Sequence, residues 1–131
     1  MAEARPAPST KPIAAKLLLR PAARAVVVNA PAGYLDVLGI DVNVDEQLGQ
    51  GPYDFVQAFV TRKDDLLALA PKVRRALAPT GMAWFSYPKA RALGTDLNRD
   101  IVRLALAPLG LETVSQAAID DVWSALRTRP V

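Results

Sequence analysis

The sequence predicts a three-layer α/β domain on a mostly parallel sheet, closed by a C-terminal antiparallel hairpin. Three observations predict it. Apolar runs rich in β-branched and aromatic residues alternate with stretches of helical periodicity, the pattern of strand–helix–strand crossovers. The run Ala25-Val26-Val27-Val28 is apolar on both faces, as a strand covered by helices on each side must be. The last two strand-like segments, 111–118 and 122–128, are joined only by Ile119-Asp120-Asp121, short enough for a hairpin.

The elements follow in order. Residues 1–12 are rich in Pro, Ala and small polar residues. They have little to bury and are expected to form a disordered tail, with a single domain over 13–131. Residues 13–19 allow a short helical turn that Pro21 stops. The strand 25–28 ends in Asn29-Ala30-Pro31-Ala32-Gly33, and residues 34–38 leave room for one or two helical turns before Gly39. Alternation over 40–44 predicts a more exposed strand, and residues 53–60 predict the next. Thr61 and Asp64 have the spacing of a capping-box variant. The helix they open carries Leu66, Leu67, Leu69, Ala70, Val73, Ala76 and Leu77, with Pro71 inside as a kink or restart. Ala78-Pro79-Thr80-Gly81 turns the chain into a strand over 82–87. Thr95 or Asp96 is expected to cap a helix that Gly110 closes.

Composition bounds the chemistry. The chain has 131 residues, 51% of them hydrophobic, which suits one compact globular core. Neither cysteine nor histidine occurs. Disulfides, thiolate nucleophiles, Cys/His zinc sites and Ser-His-Asp catalysis are therefore excluded. Any acid–base step would need a carboxylate, Lys or Tyr with a shifted pKa. The net charge of +3 comes from basic residues interleaved with acidic ones. A specific nucleic-acid footprint needs clustering, so none is expected. No apolar run is long enough to cross a bilayer, and no secretory h-region is visible, so a cytoplasmic location is expected.

From Tyr53 onward the chain resembles the class I S-adenosylmethionine-dependent methyltransferases. The carriers are Tyr53-Asp54-Phe55-Val56, the helix after it, and Leu77-Ala78-Pro79-Thr80-Gly81 leading into a strand. The match is to that family's Asp-centred strand and Leu-x-Pro-Gly-Gly turn. The family's glycine-rich first turn corresponds to Asn29-Ala30-Pro31-Ala32-Gly33, which has one glycine and a proline without an N–H. One βα unit is missing, and the ribose-binding acid would fall near Asp45 or Glu46. The whole domain also resembles a family of small bacterial proteins of unestablished activity with a reduced, Rossmann-like version of this fold. Asn29-Ala30-Pro31-x-Gly33-Tyr34, Tyr87-Pro88-Lys89, residues 95–100 and residues 121–127 carry that resemblance. It implies a fold rather than an activity. With the glycine turn eroded, no cofactor is expected and S-adenosylmethionine is disfavoured.

The candidate ligand-binding residues lie where strands 25–28 and 82–87 would end together: Asn29, Gly33, Tyr34, Ser86, Lys89, Asp96, Asn98 and Arg99. Ligands of open α/β sheets bind at that edge, and Lys89 and Arg99 would make it attract anions. The competing reading is structural. Asn29 to Tyr34 is then a plain turn, Lys89 a loop residue, and Asp96 a helix cap. No residue qualifies as catalytic or metal-ligating. The expected function is a non-catalytic binding or interaction module, its partner a small anionic ligand or a protein. The alternative is a small transferase-type enzyme acting on an anionic or nucleotide-like ligand at the strand-end cleft.

Overall fold

In a computed structural model of the chain, which describes residues 12–39 and 44–131, one five-stranded sheet lies between two helical layers. The elements are α1 (Ile13–Lys16), β1 (Ala25–Val28), α2 (Tyr34–Val37), β2 (Tyr53–Phe59), α3 (Lys63–Ala76), β3 (Leu77–Pro88), α4 (Arg99–Leu106), β4 (Leu111–Ala118) and β5 (Trp123–Pro130). Their order across the sheet is β1-β2-β3-β5-β4. The pairs β1–β2 and β2–β3 are parallel, while β3–β5 and β4–β5 are antiparallel. The expected α/β class and terminal hairpin are therefore present, with a larger antiparallel share than one closing strand.

Alternation sorts the strand side chains onto two faces. Val26, Val28, Val56, Ala58 and Phe85 meet Leu66, Val73, Val102 and Leu106 of α3 and α4. On the other face Val27, Phe55, Phe59 and Trp84 meet Leu17, Tyr34 and Leu38 from the α1 and α2 regions. All four residues of β1 are buried, as its doubly apolar sequence requires. Trp84 fixes the α1 segment to the sheet by donating its indole N–H to the Leu17 carbonyl at 2.9 Å.

Several boundaries differ from expectation. Residues 1–11 and 40–43 lie outside the described residues, and so does most of the strand expected over 40–44. Just after it, Asp45 makes a parallel bridge to Val26. Pro71 sits within α3 without breaking it; the carbonyl it cannot serve is that of Leu67, whose side chain is exposed. The Pro-Thr-Gly turn becomes part of β3. Register passes from Tyr53↔Leu77 to Phe55↔Met82, so β3 loops out residues there. A Cβ on Gly81 would stand 2.7 Å from the Tyr53 carbonyl oxygen, a close approach only glycine permits.

The caps also differ. The N-cap of α3 is Arg62, with no side-chain cap from its own sequence. Instead Asp96, far along the chain, accepts the Lys63 N–H at 2.8 Å and pairs with Arg62 at 3.4 Å. The cap of α4 is Asn98, which accepts the Ile101 N–H at 2.8 Å. Asp120 organises the hairpin turn by accepting the N–H groups of Val122 and Trp123, each at 2.8 Å.

Candidate functional site

Because β1 and β2 are parallel, their carboxyl ends share one edge of the sheet. The chain leaves β1 onto the face that α2 covers and leaves β2 onto the opposite face, under α3. After β1 it runs outward to the Asp45 bridge and then returns to the other side of β1 as β2. That is a topological switch point, where departing loops open a crevice. A groove of about 480 Å³ occupies it, lined by Asn29, Pro31, Thr61, Asp65, Lys72 and Trp123 among others. This volume is within the usual range of small-molecule sites.

The turn above the crevice is held in a strained but defined shape. Asn29 and Gly33 have φ of 59° and 79°, in the left-handed region that Asn and Gly tolerate best. The Tyr34 N–H closes the turn on the Pro31 carbonyl at 3.0 Å. A Cβ placed on Gly33 would meet no heavy atom within 4 Å, so the backbone there faces open space.

Beneath the turn is a buried polar chain. The Tyr34 hydroxyl donates to Gln57 Oε1 at 2.7 Å, and Gln57 Nε2 donates to Ser86 Oγ at 3.0 Å. Tyr34 packs edge-on against Phe59, and Phe59 against Trp123, with ring centroids 4.8 and 5.0 Å apart. Burial pushes the Tyr34 phenol far above the usual tyrosine range, opposed by its hydrogen bond to Gln57 and reinforced by Asp120. Tyr34 thus packs behind Phe59, which lines the groove, and Ser86 is joined to Tyr34 through Gln57.

A second depression lies along the same edge, over the ends of β3 and β5. About 310 Å³ in volume, it is bordered by Tyr87, Lys89, Asn98, Arg99, Gln116 and Ser124. Tyr87 and Ser124 are buried, and Gln116 Nε2 donates to Ser124 Oγ at 3.2 Å. Burial raises the Tyr87 pKa, while its hydrogen bond to Ser124 and the charge of Arg99 lower it and Asp100 raises it.

The sequence-derived candidates do not form one cluster. Asn29 lines the β1–β2 groove and Gly33 stands in the turn above it. Lys89, Asn98 and Arg99 line the second depression. Pro88 and Trp123 are register partners, and each borders a different depression, so this pair separates the two. Ser86 and Tyr34 are buried, and Asp96 is engaged with the start of α3. Asp45, at the position matched to a ribose-binding acid, accepts the Tyr53 hydroxyl at 3.0 Å, while Glu46 is exposed. Sequence reasoning missed Thr61, Asp65, Lys72, Phe59 and Trp123. Asp65 and Lys72 are two helical turns apart, a spacing that places them on one flank of α3.

Among solved structures the same architecture recurs. A TehB-like S-adenosylmethionine-dependent methyltransferase from Corynebacterium glutamicum matches with a TM-score of 0.60 at 13% identity, over 89% of this chain and 85% of that one. The fold is that of the S-adenosylmethionine-dependent methyltransferases. The 1,6-didemethyltoxoflavin-N1-methyltransferase of Burkholderia thailandensis, solved with its substrate and S-adenosylhomocysteine, matches with a TM-score of 0.60 at 13% identity, over 92% and 77% of the two chains. The Methanococcus jannaschii fibrillarin pre-rRNA processing protein matches with a TM-score of 0.63 at 12% identity, over 93% and 70%. The sequence matches no protein-family model and no curated protein.

These neighbours overturn the expectation of no cofactor with S-adenosylmethionine disfavoured. That expectation rested on the single glycine and the missing Pro31 N–H of the methyltransferase-like turn. In the structure Asn29 as well as Gly33 takes a left-handed φ, a conformation glycine adopts most readily.

Proposed function

We propose that this chain is a small methyltransferase-fold domain that binds S-adenosylmethionine in the β1–β2 groove. The observation that carries the reading is the open groove at the switch point, with the left-handed turn Asn29 to Gly33 above it. The residues present suit such a ligand. Asp65 and Lys72 offer one charge of each sign, matching an amino-acid tail and a sulfonium. Thr61 and Asn29 offer neutral hydrogen-bonding groups, and Trp123 an aromatic wall. The backbone at Gly33 lets a ligand approach where a side chain would intervene. When bound, the cofactor supplies an activated methyl group. The chain's own part is to hold it: Phe59 and Trp123 wall one side, and Tyr34, anchored through Gln57 to Ser86, packs behind Phe59. This is the transferase-type alternative of the two functions expected from the sequence.

Calorimetric titration of the chain with S-adenosylhomocysteine tests it. Saturable 1:1 binding is expected. Gly33→Ala should weaken it by about tenfold, 1.4 kcal/mol, while costing about 1–2 kcal/mol of stability from the left-handed φ. Absence of saturable binding, or full affinity in Gly33→Ala, would contradict the proposal.

A further inference from the structure

The second depression carries its own signature, independent of the cofactor groove. Lys89 and Arg99 both border it, and neither has a carboxylate within ion-pair distance among the described residues. The nearby Asp100 is committed to Arg103, at 3.7 Å. Asp96 is committed to Arg62. Two cations thus stand at one small concavity, with no carboxylate of the described residues in ion-pair contact with either. The remaining polar border is rich in donors. Tyr87 brings a phenol that burial keeps protonated, Gln116 an amide, and Asn98 an amide N–H₂ whose oxygen is already used in capping α4.

The backbone that carries the cations is also fixed. The backbone of Lys89 is fixed on both sides: its N–H donates to the Val122 carbonyl at 2.8 Å, and its carbonyl accepts from Ala92 at 3.0 Å. The following residues Ala90, Arg91 and Leu93 take left-handed φ of 53°, 63° and 56°. Three such non-glycine residues in so short a loop cost conformational energy, and strain of this kind gathers at functional sites. The other wall starts at the capped first turn of α4.

We infer that the depression between the 88–91 loop, the start of α4 and β4 is a binding site for a phosphate monoester. The charge count selects that class. A phosphate monoester carries about −1.5 to −2 at neutral pH and three acceptor oxygens, matching two cations and the neutral donors beside them. A carboxylate brings one charge and leaves the second cation uncompensated. The 310 Å³ volume holds the phosphate with a small organic group, and the exposure of the β4 side leaves room for a larger one.

The experiment titrates the full chain with phenyl phosphate, inorganic phosphate and benzoate, followed by calorimetry at low salt. Saturable binding of phenyl phosphate is expected, with inorganic phosphate weaker and benzoate weakest. Lys89→Ala/Arg99→Ala should lower the phenyl phosphate affinity at least about tenfold. Arg129→Ala, a control cation paired with Glu112 outside the site, should leave it unchanged. S-adenosylhomocysteine binding should survive the double substitution, so failure of the two sites can be told apart. Phenyl phosphate binding unchanged in the double variant, no saturable binding in the parent chain, or benzoate binding as tightly as phenyl phosphate would each overturn the inference. Circular dichroism of each variant excludes unfolding as the cause of a loss.

Discussion

Gln57 and Ser86 sit fully buried on a sheet face whose other core residues are apolar. Buried polar groups on such a face cost free energy unless paired, and here Tyr34 completes the pairing. Removing the phenol in Tyr34→Phe leaves Gln57 Oε1 without its donor. A loss of about 1–3 kcal/mol is expected, read by denaturant unfolding at neutral pH. The same residue governs alkaline stability. In the unfolded chain the phenol has its ordinary pKa of 10.0, and in the folded chain it lies higher. Above that pH the unfolded chain releases a proton that the folded chain keeps, so stability falls as pH rises. The contribution is fully present below pH 10 and is lost as pH climbs through the folded value. Tyr87 is shifted in the same direction. Tyr34→Phe should therefore reduce the slope of stability against pH above 10 without abolishing it. An unchanged slope would show that Tyr34 titrates as it does in the unfolded chain.

At the scale of elements, long-range contacts supply what local sequence does not. The spacing of Thr61 and Asp64 suggests a local cap for α3, yet its first free N–H is met by Asp96, 33 positions away. No reading of neighbouring residues finds such a partner, because capping depends on where the 92–98 loop lands. Asp96→Ala is expected to cost about 0.5–2 kcal/mol. Asp96→Asn should restore most of that, since the exposed pair with Arg62 is worth little. If Asn destabilises as much as Ala, the ion pair rather than the cap holds the element. The strands were far more legible. Ala25 to Val28 announces itself because burial on both faces requires continuous apolar residues, and Tyr53 to Phe59 by aromatic and apolar residues at every position but Asp54 and Gln57. The hairpin was legible for a local reason too: Asp120 lies two and three residues from the N–H groups it accepts.

At the scale of the molecule, the candidate edge was half legible. Topology pointed to the carboxyl edge of the parallel strands, and two depressions lie there. What sequence did not reveal is that the Pro88–Trp123 pair divides this edge. The division follows from β5 inserting between β3 and β4, an order that local residues do not encode. Polar residues expected to converge are thereby split between two concavities, and Ser86 and Tyr34 are drawn beneath the surface. The glycine count was a poor guide for a different reason. Backbone shape, not residue identity, makes the turn, and Asn29 and Gly33 share that work.

The central claim is that the β1–β2 crevice holds the cofactor of this methyltransferase-like fold. The most direct test is backbone amide NMR of the ¹⁵N-labelled chain during titration with S-adenosylhomocysteine. The account expects saturable shifts concentrated at Asn29, Ala30, Ala32 and Gly33 and at Phe59, Val60 and Thr61, with smaller changes at Lys89 and Arg99. No saturable shift anywhere, or shifts centred on Lys89 and Arg99 with the Asn29 to Gly33 turn unmoved, would contradict it.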